Sequence, residues 1–75
     1  MVYYLSCLYE NGEVRLGTFG NTIYKGHAIE TKLKKFKDFW YGRKNINGIR
    51  VIGVQIEICE RTYARPIETK QIIWE

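Results

Sequence analysis

Seventy-five residues carrying a formal net charge of +4, 45% of them hydrophobic and 15% aromatic, suffice for one small basic domain with a single core and not for two. That composition excludes a disordered chain, and no apolar run approaches the roughly 18 residues of a membrane span. The charge is uneven: residues 32–45 hold six Lys or Arg and one Asp, +5, while the rest holds six Lys or Arg and seven acids, −1.

In chain order, VYYLSCLY and EVRLGTF form a hairpin over residues 2–19, turning at Asn11-Gly12, the dipeptide that suits two adjacent positive φ angles. A two-residue loop pairs Tyr9 with Val14, Cys7 with Leu16 and Leu5 with Thr18 on one face. It pairs Leu8 with Arg15, Ser6 with Gly17 and Tyr4 with Phe19 on the other. This register sets Glu10 opposite Glu13, an unfavourable like-charge pair, and a longer loop with a bulge is the alternative.

Gly20-Asn21 and Gly26 punctuate the stretch that follows. From about residue 27 a helical period begins: Ile29, Leu33, Phe36 and Trp40 share one stripe, predicting an amphipathic helix over about 27–41. Gly42 suits the left-handed position just past the helix end, and Asn45-Ile46-Asn47-Gly48 predicts a further turn. Residues 49–61 alternate, with Ile52, Val54, Ile56 and Ile58 on one side and Gln55, Glu57 and Arg61 on the other, as in a half-buried strand. Arg65-Pro66 interrupts, and 67–74 read as a last strand.

The order ββαββ predicts an α+β domain spanning 1–75. About four mostly antiparallel strands carry one helix on one face, and the other face is at least partly open to water. Cys7 then points into the core and Cys59 away from it, which argues for two reduced thiols and a cytoplasmic setting, with no membrane association. The start, MVYYLSCLYENGE, has neither the basic segment nor the cleavage site of a signal peptide.

Chemistry-bearing motifs are few. His27 is the only histidine, and with two scattered cysteines it makes neither a metal site nor a nucleophile–base pair. GTFGN matches no phosphate-cradling glycine loop. The chain is therefore expected to lack catalytic residues, metal and cofactor. Two binding surfaces remain. The first is the basic helix and its tail, where Lys34, Lys35, Lys37, Arg43 and Lys44 lie beside Tyr41, cations for phosphates and a ring for stacking. The second is the outer hairpin face, where Tyr4, Phe19, Leu8 and Arg15 surround the small residues Ser6 and Gly17. Together they predict a non-enzymatic binding module for an anionic partner, nucleic acid or a nucleotide-like ligand. The alternative is a protein–protein interaction domain, such as a small inhibitor or adaptor of viral or mobile-element type acting on a host protein, used also for homodimerisation.

Overall fold

The computed structural model describes residues 1–15, 22–25 and 29–74, the second of these segments as backbone only. Its elements are β1 (Val2–Tyr9), β2 (Val14–Arg15), β3 (Thr22–Lys25), α1 (Ile29–Trp40), β4 (Val51–Cys59) and β5 (Glu68–Ile73). All strand pairings are antiparallel. β2 and β3 pair successive portions of the same edge of β1, β4 lies on its other side, and β5 pairs β4. The sheet is thus four strands wide with one helix packed against it, the α+β arrangement expected from the sequence.

The helix forms where the period places it. Ile29, Leu33, Phe36 and Trp40 meet Leu5, Cys7, Val54 and Ile56 of the sheet, and Phe36 is the helix's one buried side chain. Phe36 sits 6.2 Å from both the Trp40 and the Trp74 ring, in tilted arrangements. Removing an apolar side chain of this size from water contributes about 1.5–3 kcal/mol. The helix stops at Gly42, whose φ of 82° is left-handed, and Arg43 N–H donates to the Trp40 carbonyl at 3.0 Å.

Four features depart from the sequence reading. First, the hairpin register is one residue off: Leu8 pairs with Val14 and Cys7 with Arg15. The loop has three residues rather than two, because Gly12 N–H donates to the Tyr9 carbonyl and Tyr9 N–H to the Glu13 carbonyl, both at 2.9 Å. That is a type I turn followed by a left-handed glycine, with Gly12 at φ 87°. The Glu10–Glu13 clash disappears: Glu13 pairs with Arg15 at 2.9 Å, while a Glu10 carboxylate oxygen accepts from Arg50 N–H at 3.3 Å.

Second, β3 went unread between its flanking glycines, while the pairings assigned to residues 16–19 lie outside the described residues. Thr22 lies seven positions after Arg15, whereas their partners Leu5 and Cys7 are two positions apart on β1. Third, a register shift between Leu8 and Tyr9 skips Ile52, and Val51 fills the core where alternation assigned Ile52. Fourth, the face away from the helix is partly open, as expected, at Thr69, Gln71 and Ile73 of β5, but closed over β1 and the end of β4. Val2, Ser6, Leu8 and Cys59 are buried there, so Cys59 does point away from Cys7 but not into water. Both thiols are free, on opposite faces of the sheet.

Candidate functional site

Two loops of the same design build the site. Residues 45–49 repeat the geometry of residues 9–13: Gly48 N–H donates to the Asn45 carbonyl at 3.0 Å, Asn45 N–H to the Ile49 carbonyl at 2.9 Å, and Gly48 has φ 77°. Each is an Asn-Gly loop whose glycine takes the left-handed position. The first loop sends Arg15 back along β1; the second carries Lys44 and Asn45 out beyond the helix end. Lys44 is bridged to Arg50, and Glu10 N–H donates to the Arg50 carbonyl at 2.9 Å, which ties the two loops together.

Between them lies a cleft of about 310 Å3 lined by Tyr9, Arg15, Trp40, Arg43, Lys44 and Asn45 among others. The register explains why Arg15 reaches it: opposite Cys7, Arg15 shares the helix face with Tyr9 instead of the outer face with Tyr4. Arg43 is held in place, its guanidinium 4.1 Å from the Phe39 ring centroid and its Nε donating to the Phe39 carbonyl at the helix end. The Arg15–Glu13 pair is roughly half exposed on both sides, so it holds Arg15 only weakly and leaves the guanidinium able to serve a ligand.

Asn45 contributes differently. Its Oδ1 accepts from Asn47 N–H at 2.9 Å and Ile49 N–H at 3.0 Å, which orients the amide. Its Nδ2 is buried without a partner among the described residues. An unpaired buried donor of this kind costs about 1–3 kcal/mol. Beside it, the buried Tyr9 phenol is pushed above its usual range by desolvation, then by Cys7 and Glu13, with Arg15 pulling the other way. Tyr9 therefore stays a neutral hydroxyl at ordinary pH. The cleft thus combines three cations, a neutral phenol, the edge of Asn45 and the half-buried Trp40 ring. Such a set suits an anion with a flat apolar neighbour.

The other sequence-derived candidates separate from this site. Tyr41 stands against Trp74, with ring centroids 5.7 Å apart and Lys37 Nζ 5.8 Å from its own ring, in a grouping distinct from the Arg43–Phe39 stack. Lys34 and Lys35 are exposed along the helix. Tyr4 faces the opposite side of the sheet, and Phe19 lies outside the described residues, as does His27. Tyr9, Trp40 and Asn45 were missed as site residues; the N-I-N-G turn was the one signal near them.

A further feature without any sequence signal is Tyr63, which has φ 63° in a non-glycine residue, a conformation costing on the order of 1–2 kcal/mol. Its N–H donates to the Tyr4 hydroxyl at 2.9 Å.

Among the described residues no three His, Cys, Asp or Glu come together as a metal site, and no helix is long and apolar enough to cross a membrane. Compared with protein-family models, curated proteins and solved structures, the chain matches none.

Proposed function

We propose that the chain is a non-enzymatic binding module for a phosphate-bearing anion, nucleic acid or a nucleotide-like ligand, held in the cleft between the two Asn-Gly loops. The observation that carries the reading is the convergence of Arg15, from β2, with Arg43 and Lys44, from just past the helix end, on one cleft. Arginine forks suit phosphate oxygens, and Trp40 offers an apolar wall for a base or sugar. A cytoplasmic setting accords with the free thiols.

The test is anisotropy of a short labelled single strand and of a duplex at low salt, alongside the melting temperature with added nucleoside triphosphate. Binding that is lost on combined Arg43→Ala and Lys44→Ala substitution supports the reading. Undetectable binding to both oligonucleotides together with no shift from the nucleotide removes it.

A second reading rests on β5. Among the described residues this strand pairs only with β4, all six of its residues are exposed, and Ile73 is 64% exposed. An open edge of this kind is a template for strand addition by a protein partner or a second copy, the interaction-domain alternative, including an inhibitor or adaptor role. Light scattering and co-purification with an Ile73→Lys variant as control test it. A monomer that recovers no specific protein would remove it.

A further inference from the structure

On the sheet face away from the helix a second pocket, of about 280 Å3, is lined by Tyr4, Glu57, Cys59, Tyr63 and Ala64. Its chemistry is the reverse of the cleft's. Glu57 stands directly opposite Tyr4 in the β1–β4 ladder, is half-buried, and makes no ion pair among the described residues. None of the described residues lining the pocket carries a positive charge.

The second observation is Tyr63. Its left-handed φ of 63° is sustained by the hydrogen bond from its N–H to the Tyr4 hydroxyl, and the residue is 93% exposed at the pocket. The turn beneath it closes through Ala64 N–H to the Arg61 carbonyl at 3.2 Å. Backbone strain that holds an aromatic ring in solvent beside a half-buried acid contributes nothing evident to the core. It keeps both tyrosines in the lining of the pocket that Glu57 also lines.

We propose that this pocket binds an organic cation, an alkylammonium or guanidinium group such as the head of a lysine or arginine side chain. Glu57 balances the charge, and the electron-rich faces of Tyr4 and Tyr63 take its apolar shoulders. The site lies on the opposite sheet face from the anion cleft and does not depend on it.

The experiment is a two-dimensional amide NMR titration of the full chain with tetramethylammonium, butylammonium and ethylguanidinium, with neopentyl alcohol as the uncharged control. Saturable shifts at Glu57, Tyr63 and Ala64 with the cations and not with the alcohol are expected. Glu57→Gln should weaken binding about tenfold or more. Tyr63→Gly, which keeps the backbone angle without the ring, should weaken it several-fold while the remaining amides hold their positions. A lysine- or arginine-containing hexapeptide binding at least tenfold more tightly than the free amine assigns the ligand to a protein side chain; equal binding assigns a small amine. Absence of saturable shifts with every cation, or unchanged binding by Glu57→Gln, overturns the proposal.

Discussion

Replacing Gly12 or Gly48 with alanine probes the loop geometry that brings the two sides of the cleft together. Both glycines are left-handed, at φ 87° and 77°, and a Cβ at either position meets nothing within 4 Å. The penalty is therefore confined to the backbone. An L-residue held there loses roughly 1–2 kcal/mol. Alanine recovers about 0.4–1 kcal/mol of that by restricting the unfolded chain. The balance is a loss of about 1 kcal/mol at each position, which in a domain of this size lowers Tm by about 4–8 °C. Thermal and urea unfolding followed by circular dichroism measure it, and the urea slope should stay unchanged. D-alanine at position 12, introduced by chemical synthesis, favours positive φ and should instead raise Tm. L-alanine leaving Tm unchanged at both positions would refute the three-residue loops and, with them, the placement of Arg15 and Lys44.

Three further outcomes follow from where the side chains sit. Phe36→Ala removes the one buried helix side chain and should cost about 3–5 kcal/mol. That is a large share of the roughly 4–11 kcal/mol expected for a chain this long. Ile46→Ala, at a position 98% exposed, should change stability by less than about 0.5 kcal/mol in the same urea titration. Burial pushes the Cys7 thiol up to about 11 from 9.0, so its stabilising contribution is complete below the unfolded value and is lost as pH rises through the folded one. Between about pH 8 and pH 11 the native protein should therefore lose on the order of 1–2 kcal/mol more than Cys7→Ala, and parallel stability curves would contradict the burial argument.

The helix was legible because its four apolar residues repeat at helical spacing and Gly42 ends it, and tertiary packing agrees with that local signal. β4 was legible from its alternation until the bulge, where a skipped residue exchanges Ile52 for Val51; nothing local marks such a skip. The Asn-Gly turns were visible, but the dipeptide fits either a two-residue or a three-residue loop, and one residue of register decides which face Arg15 occupies. The like charges at Glu10 and Glu13 were the clue to the longer loop. Half of the cleft follows from that slip. The other half comes from Tyr9 and Trp40, which read as core, and Asn45, which read only as a turn residue. Tyr63 carries its unusual backbone angle in R-T-Y-A-R-P, where no glycine or asparagine announces it.

The most direct test of the central claim is the salt dependence of binding to a short single-stranded oligonucleotide, measured for the native chain, for Arg15→Ala and for a Lys34→Ala/Lys35→Ala variant. Three cleft cations facing phosphates give a slope of log affinity against log salt of about −2, and two give about −1.4. The account predicts that Arg15→Ala flattens the slope to the lower value while the helix variant keeps the native one. A slope that flattens with Lys34 and Lys35 and ignores Arg15 would place binding on the helix face and contradict the cleft.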